Sequence, residues 1–254
     1  MHTFAIANQK GGVGKTTTAI NLAYFLARLG YRVLLMDLDP QGNASSGLAI
    51  DRSQLQQSMY NVLVEGKNLK EVIVKTGQEL LDIAPASLDL AGAEIEMISL
   101  EGREFLLREA MQEIEPFYDA IFVDCPPSLG ILTINAFTAV HGILVPVQCE
   151  YYALEGLGQL MQTVTLVRES LNPALEVEGA VLTMYDGRTN LAREVVEEVR
   201  SFFGHRIFDT IIPRNVRLAE APGFGQSVFE YAPDSMGAQA YRAFAEEFAS
   251  RLKK

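Results

Sequence analysis

Hydrophobic and polar residues form two recurring patterns along the chain. Short apolar runs of the kind that form buried parallel strands alternate with longer stretches whose apolar residues recur at helical spacing. The strand-like runs lie at residues 4–7, 32–37, 80–85, 119–124, 142–147, 177–184 and 207–212. The helical stretches lie at 19–29, 54–64, 69–74, 88–99, 103–114, 154–171, 191–203 and 234–252, the last with Met236, Ala240, Phe244 and Phe248 on one face. This alternation, without a Ser/Pro-rich linker, predicts a single α/β domain over residues 1–254: a doubly wound, mostly parallel sheet with helices on both faces.

A glycine-rich stretch connects the first strand to the first helix: Lys10-Gly11-Gly12-Val13-Gly14-Lys15-Thr16-Thr17. Glycines allow backbone amides to approach phosphate oxygens, and the following helix directs its positive end to the same point. We therefore predict a nucleotide-binding site, with Lys15 at the β- and γ-phosphates and the Thr16 hydroxyl on Mg²⁺. The ordinary pattern has a glycine at position 9, whereas this chain has Gln9 there and a second lysine, Lys10. A glycine-rich turn with two solvated lysines is the alternative, which the flanking strand and helix disfavour.

Carboxylates end two of the predicted strands. Asp37 ends the second strand and is followed by Asp39, and Asp124 ends the fourth. Because parallel α/β sheets bind ligands at the carboxyl ends of their strands, we expect these side chains near the phosphates. Asp124 is predicted to hold Mg²⁺, although by itself it would also suit the cap of the following turn. Asp37 or Asp39 is a candidate to orient or deprotonate the attacking water.

These motifs resemble those of a known family. The glycine-rich stretch looks like the deviant Walker A box, K-G-G-x-G-K-T-T, of the superfamily that contains ParA, Soj, MinD and the nitrogenase iron protein. Residues 37–44 resemble the D-x-D-P-Q-G-N motif of the ParA/Soj chromosome- and plasmid-partitioning ATPases. The resemblance continues through residues 124–130, 183–190 and 212–222, and is nearest to the short chromosomal Soj-type members.

The resemblance implies an Mg²⁺-dependent ATPase in which two subunits enclose two nucleotides. Lys10 would reach the phosphates of the partner subunit, so that dimerisation and hydrolysis are linked. Motif position favours Asp39 over Asp37 as the residue that positions water. Pro213 and Asn215 match the segment that contacts adenine in the family, although alone they would form an ordinary strand-to-helix turn.

The resemblance also implies two macromolecular partners. Family members bind double-stranded DNA without sequence preference through basic residues, and the matching positions are Arg188 and Arg217. Arginines are frequent between residues 188 and 217, a distribution that suits salt-sensitive phosphate contacts but also suits a solvated helix face. The second partner is a ParB-type centromere-binding protein whose basic segment stimulates hydrolysis. ATP would form the dimer, the dimer would hold DNA, and hydrolysis would release it during chromosome or plasmid segregation.

Composition and net charge argue against several classes of protein. A net charge of −11 argues against a protein that coats nucleic acid with its whole surface. No apolar run reaches the ~18 residues of a membrane span, and no signal peptide precedes the first strand. Cys125 and Cys149 show neither metal-ligand spacing nor a disulfide framework. These features predict a cytoplasmic protein, and the DNA binding that the resemblance implies would associate it with the nucleoid.

Other activities of the superfamily fit the sequence less well. A MinD-like membrane-positioning ATPase, the main alternative, would require a basic amphipathic C-terminal segment, and residues 248–254 are too short and too weakly basic. No membrane partner is therefore expected. An iron–sulfur enzyme would need cysteines that bridge two subunits, and a tyrosine autokinase would need a tyrosine-rich tail. A module that binds ATP without turnover stays open.

Overall fold

The computed structural model describes residues 2–150 and 153–252. Within these ranges the strands are β1 (His2–Ile6), β2 (Val33–Asp37), β3 (Val74–Lys75), β4 (Leu81–Ala84), β5 (Ala120–Asp124), β6 (Gly142–Gln148), β7 (Glu176–Tyr185) and β8 (Ile207–Pro213). The α-helices are α1 (Lys15–Arg28), α2 (Asn43–Gly47), α3 (Met59–Glu65), α4 (Leu69–Val72), α5 (Leu90–Glu96), α6 (Leu106–Met111), α7 (Ile131–Ala139), α8 (Ala153–Ser170), α9 (Asn190–Phe203), α10 (Val216–Glu220), α11 (Val228–Tyr231) and α12 (Met236–Leu252).

These strands form one sheet in the order β3-β4-β2-β5-β1-β6-β7-β8. Every neighbouring pair is parallel except β3 and β4, which are antiparallel. The predicted fold class, a doubly wound and mostly parallel sheet, is confirmed. Strands β2 to β5 lie on one side of β1. After β5 the chain crosses to the other side of β1, where β6, β7 and β8 follow in order. Ligands bind at such a switch point in α/β sheets, beyond the carboxyl ends of the strands.

Two apolar cores cover the two faces of the sheet. Successive side chains of a strand point to opposite faces, so that Leu34 and Met36 pack in one core and Val33 and Leu35 in the other. Helices α3–α9 contribute to the first core, and α1 and α12 cover the second. Burial on both faces explains why the strands appear in the sequence as uninterrupted apolar runs.

An aromatic cluster attaches α12 to the sheet. The ring of Phe248 is fully buried, with its centroid 5.0 Å from that of Phe4, 5.7 Å from that of Phe122 and 5.8 Å from that of Phe208. Met236, which helical spacing places on the same predicted apolar face, is instead 62% exposed because it occupies the first turn of α12.

The structure corrects several predicted elements. Val74 pairs with Ile83 in β3 rather than ending a helix. Four predicted helices, at 54–64, 88–99, 103–114 and 234–252, are shorter than their periodic stretches, because turns and 3₁₀ segments occupy their ends. Helices α2, α7, α10 and α11 were not predicted from the sequence. Helix α7 lacks an amphipathic period because residues on most of its circumference are buried.

No helix in the described part of the chain combines the length and the apolar character needed to cross a membrane.

Substitution of Phe248 by alanine is expected to lower the free energy of unfolding by about 3–5 kcal/mol, because it removes a fully buried ring from its contacts. Met236→Ala in the same helix is the matched control and should change it by less than about 0.5 kcal/mol. Urea unfolding followed by circular dichroism measures both. Equal losses would contradict the assignment of the buried face of α12.

Candidate nucleotide-binding site

The glycine-rich loop joins the carboxyl end of β1 to the first residue of α1. Gly12 has φ of +73° and Gly14 of +90°, a backbone region that residues with a Cβ rarely adopt. Lys15, only 7% exposed, donates from Nζ to the backbone oxygen of Lys10 at 3.2 Å, across the loop. Burial lowers the pKa of Lys15, and the nearby carboxylate of Asp124 partly opposes this shift. The loop therefore surrounds a buried lysine side chain at the positive end of α1.

Two polar side chains support the loop from neighbouring segments. The hydroxyl of Thr183, in β7, donates to the backbone oxygen of Val13 at 2.8 Å. Asn8 donates from Nδ2 to the backbone oxygen of Pro146 at 2.8 Å and accepts from the Lys10 amide at 3.0 Å. The sequence analysis gave neither Thr183 nor Asn8 a role. The only signal was that Thr183 begins one of the segments that resemble the family.

Asp37 ends β2 directly beside Asp124, with which it is in register. The side chain is fully buried and accepts three hydrogen bonds, from the Ser45 amide (2.8 Å), the Ser45 hydroxyl (2.7 Å) and the Asp39 amide (3.2 Å). Burial raises the pKa of Asp37 to about 6, although the bonds from Ser45 oppose this rise. Its oxygens thus hold the loop between β2 and α2 in place.

Asp39 lies two residues further along the same loop and is 8% exposed. Its Oδ1 accepts one hydrogen bond, from the Gln41 amide at 2.9 Å. The charge of the Asp39 carboxylate also contributes, as a minor cause after burial, to the pKa shifts of Lys15 and Asp124. Compared with Asp37, it retains more capacity to accept a hydrogen bond from a water molecule.

Asp124 is fully buried at the end of β5. Neither of its oxygens has a hydrogen-bond partner among residues 2–150 and 153–252. Burial raises its pKa well above the ordinary value, Asp37 raises it further, and the Thr16 hydroxyl and Lys15 oppose the rise. A buried carboxylate without a partner is unfavourable, and a hard cation with oxygen ligands relieves that cost.

Asp124 and the Thr16 hydroxyl therefore fit Mg²⁺. No group of three or more His, Cys, Asp or Glu side chains in the described chain is arranged to hold a metal ion. This finding is compatible with Mg²⁺ at a nucleotide, since that ion usually takes most of its ligands from phosphates and water and only one or two from the protein.

Lys10 lies on the rim of the site, where its Nζ is 3.7 Å from Oε2 of Glu150. The other carboxylate oxygen of Glu150 accepts from Arg214 at 3.1 Å. Glu150 therefore links the loop after β1 to the segment after β8. The sequence analysis did not identify Glu150.

A cavity of about 340 Å³ lies beside the N-terminal turn of α1, and Pro213 and Asn215 both line it together with Gly14 and Thr17. The Oδ1 of Asn215 caps α10 by accepting the Arg217 amide at 2.9 Å. The Asn215 Nδ2 amide and the apolar wall suit the edge and face of a planar base. The structure thus brings the glycine-rich loop and the predicted adenine-binding segment into one cavity.

Arg188 lies in the turn after β7 and Arg217 in the first turn of α10, after β8, and both pair with carboxylates. Arg188 donates two hydrogen bonds to Asp186, at 2.8 and 2.6 Å, which lower the pKa of Asp186 to about 2. Arg217 donates to Glu220 at 2.7 Å. Arg206 precedes β8 at the opposite edge, roughly 20 Å away along a seven-residue strand. The arginines between 188 and 217 therefore do not form one patch.

Comparison of the sequence with known proteins identifies close relatives. Residues 1–177 match the family model described as AAA domain. The chain is 52% identical over 246 residues to the sporulation initiation inhibitor protein Soj of Bacillus subtilis, with 97% of each chain covered. It is 51% identical over 253 residues to the chromosome partitioning protein ParA of Caulobacter vibrioides, with 99% of this chain and 95% of the relative covered.

Solved structures share the fold. Cobyrinic acid a,c-diamide synthase from Mycobacterium smegmatis with bound ATP analog and magnesium has a TM-score of 0.88 at 38% identity, with 100% of this chain and 96% of that chain covered. The cell division ATPase MinD from Pyrococcus furiosus has a TM-score of 0.79 at 25% identity, with 98% and 99% covered. The similarity in both cases extends over nearly the whole chain.

Asp124→Asn is expected to raise the melting temperature of the nucleotide-free protein, because it removes a buried charge that lacks a hydrogen-bond partner, at a cost of about 1–3 kcal/mol. The same substitution should abolish the additional stabilisation that Mg²⁺ gives in the presence of ATP. Thermal melts with and without ATP and Mg²⁺ measure both effects. Asp82→Asn, which removes a buried carboxylate that pairs with Lys75 at 2.9 Å, is the control and should lower the melting temperature.

Proposed function

Because this chain belongs to the ParA/Soj family of chromosome-partitioning ATPases, we propose that it hydrolyses ATP to ADP and phosphate in order to segregate DNA. One observation carries the proposal: the glycine-rich loop, Asp39, Asp124 and the cavity at Pro213 meet at the carboxyl edge of one sheet. Residues 1–254 act together as one ParA-type ATPase domain in this proposal, which the single sheet supports.

The residues of the glycine-rich loop bind the phosphates. Phosphoryl transfer requires positioning and neutralisation of charge more than covalent participation of the protein. The loop amides and Lys15 contact the phosphate oxygens, while Thr16 and Asp124 hold Mg²⁺. When bound, Mg²⁺ offsets the negative charge that develops on the transferred phosphoryl group.

Asp39 positions the attacking water. The geometry supports Asp39 over Asp37, because three hydrogen bonds already occupy Asp37 in the interior. Asp39 follows it in the same loop, keeps 8% of its surface exposed and accepts a single backbone hydrogen bond, from the Gln41 amide. A carboxylate in that position can accept a proton or a hydrogen bond from water beside the γ-phosphate.

Lys10 acts across the interface of an ATP-bound homodimer. In this structure the Nζ of Lys10 lies 3.7 Å from a carboxylate oxygen of Glu150, and both side chains are partly exposed. Such ion pairs contribute little to stability. Exchange of Glu150 for the phosphates of a nucleotide in the partner subunit is therefore favourable. Hydrolysis then depends on dimerisation, and a ParB-type partner stimulates it.

The dimer holds double-stranded DNA through Arg188 and Arg217. Each arginine must exchange its carboxylate partner for a DNA phosphate, so that binding by a single subunit is weak. Dimerisation doubles the number of contacts and raises the affinity through avidity. ATP binding thus attaches the protein to the nucleoid, and hydrolysis releases it.

Two activities of related proteins are alternatives to this proposal. The solved structure that is 38% identical to this chain is named as a cobyrinic acid a,c-diamide synthase. Partitioning is preferred because relatives of higher identity over nearly the whole chain carry that name. A MinD-like membrane ATPase is the second competitor, and lipid vesicles serve as its test surface.

Binding to random-sequence duplex DNA with ATP, with ADP and without nucleotide tests the proposal, together with sedimentation to measure oligomeric state. A dimer that binds DNA with ATP alone, and less tightly as salt rises, is the expected result. If the protein dimerises with ATP but does not bind DNA, the assignment of the nucleotide site stands and partitioning by this route is excluded.

The double variant Arg188→Glu with Arg217→Glu is expected to dimerise with ATP and to lose at least about tenfold in DNA affinity. Its matched control is Arg108→Glu with Lys67→Glu, which changes the net charge equally at exposed positions on other elements. DNA binding by fluorescence anisotropy compares the two. Equal losses would show that only net charge matters and would remove both arginines from the DNA interface.

Asp39→Ala is expected to bind ATP and dimerise but to hydrolyse it on the order of 100-fold more slowly, since the water loses its positioning group. Single-turnover phosphate release measures the chemical step separately from nucleotide binding. Asp37→Ala is the companion variant, and it should lower thermal stability because it leaves the Ser45 donors unpaired. Unchanged turnover in Asp39→Ala would reassign the role to Asp37.

A further inference from the structure

A second cavity, of about 540 Å³, lies outside the nucleotide-binding site between α3, α4 and α6. None of its lining residues belongs to the glycine-rich loop, to the loop after β2 or to the segment after β8. Its volume is within the range of ligand sites, so that the groove is large enough to receive several side chains of a partner.

The floor of the groove is apolar. Val64, Leu100, Leu106 and Ala110 line it, and all four are only partly buried while packing against the core beneath α3–α9. Apolar side chains that remain accessible along a groove between helices can bind the apolar face of another helix.

The rim of the groove is acidic. Glu65, Glu101, Glu109 and Glu113 line it and are exposed, whereas Lys67 is the one basic side chain among the lining residues that the structure describes. Lys70, outside the lining, offsets Glu113 in part at 3.4 Å. We call the apolar floor and these four glutamates the acidic groove.

Apolar side chains next to an acidic residue are also exposed beyond the groove. Ile95 and Ile98, on α5 and the turn that follows it, are 74% and 64% exposed, and Ile98 lies two residues before Leu100 of the floor. Glu96 lies between them, whereas Arg103, which pairs with Glu104, donates to the backbone oxygen of Ile98 at 2.8 Å. Exposed apolar side chains next to the groove are typical of an interaction surface.

We propose that the acidic groove binds a basic amphipathic helix of another protein. Leucine-like side chains at helical spacing would occupy the floor, and lysines or arginines beside them would pair with the rim glutamates. The proposal goes beyond ATP hydrolysis and DNA binding and does not depend on either.

The charge of the rim argues against other occupants. Nucleic acid and anionic lipid carry negative charge that four exposed glutamates would repel. A two-fold interface with a second copy would place the same acidic rim against itself. A basic helix is the partner that gains both from the apolar floor and from the rim.

A fluorescent peptide of leucine and lysine, about 18 residues long with its leucines at helical spacing, is the probe for this site. Its binding to the full-length protein is measured by anisotropy at low and moderate salt, beside a peptide of the same composition in scrambled order. We expect the amphipathic order to bind more tightly and its affinity to fall as salt rises. Equal binding of both peptides would overturn the proposal.

The decisive variant is Glu101→Lys with Glu109→Lys, for which we expect about tenfold weaker binding of the amphipathic peptide, because two attractions become repulsions. Leu106→Ser, at a partly buried position, should also weaken binding severalfold by removing apolar contact. The matched control is Glu194→Lys with Glu198→Lys, two exposed positions on α9, which should bind within about twofold of the unchanged protein.

Equal weakening in the control and in the groove variant would reduce the effect to net charge and overturn the proposal. Loss of self-association in the groove variant, with unchanged peptide binding, would assign the surface to a second copy and overturn it as well. ATP turnover and thermal melts of each variant show that it is folded, and they keep failure of this site distinguishable from failure of the ATPase proposal.

Discussion

Concentration of buried charge at the carboxyl edge of the sheet is the constraint on which the rest of the structure depends. Lys15, Asp37, Asp39 and Asp124 all lie there with less than a tenth of their surface exposed. Ionised groups are costly to bury unless each finds a partner. Asp37 accepts hydrogen bonds from Ser45 and the following backbone, whereas neither oxygen of Asp124 has a hydrogen-bond partner within the described chain, although the charge of Lys15 favours its ionised form. The unmatched carboxylate and the buried lysine fit a ligand that brings both a cation and phosphates.

Rigid support for these groups comes from parts of the chain that are distant in sequence. Thr183 of β7 holds the glycine-rich loop at Val13, and Asn8 ties the same loop to β6 through Pro146. The sheet brings these contacts together because β6 and β7 lie next to β1 on one side while β5 and β2 lie on the other. Precise positioning of phosphate-binding groups requires such support, since small displacements greatly reduce phosphoryl transfer.

The proposed binding surfaces for DNA and for a basic partner differ in charge and lie on different parts of the molecule. Arginines at the carboxyl edge each pair with a nearby carboxylate, so that binding of DNA there would depend on exchange of partners and on more than one copy. The acidic groove lies on the helices that cover the first core and has the opposite charge. A nucleic acid and a basic partner could therefore bind the same molecule at once without competing for one surface.

The sequence by itself determined the fold class and the family and predicted the phosphate-binding loop, because each rests on local pattern. Continuous apolar runs specify buried parallel strands, and glycines followed by Lys15 and Thr16 specify a phosphate-binding turn wherever a strand precedes it and a helix follows. Asp39 and Asp124 were also recognisable as candidates because they follow such strands.

Only the tertiary structure decided which partners these residues have. The two hydrogen bonds from Ser45 to Asp37, the contact of Thr183 with Val13 and the pairing of Glu150 with Lys10 join residues whose order in the chain does not reveal their proximity. Helix α7 and strand β3 were missed for a related reason, since burial on most sides and pairing across a sheet override local periodicity. The acidic groove depends on the packing of α3, α4 and α6. Sequence periodicity specifies which face of an element is apolar, but only packing specifies which neighbour covers that face and which part of it stays exposed.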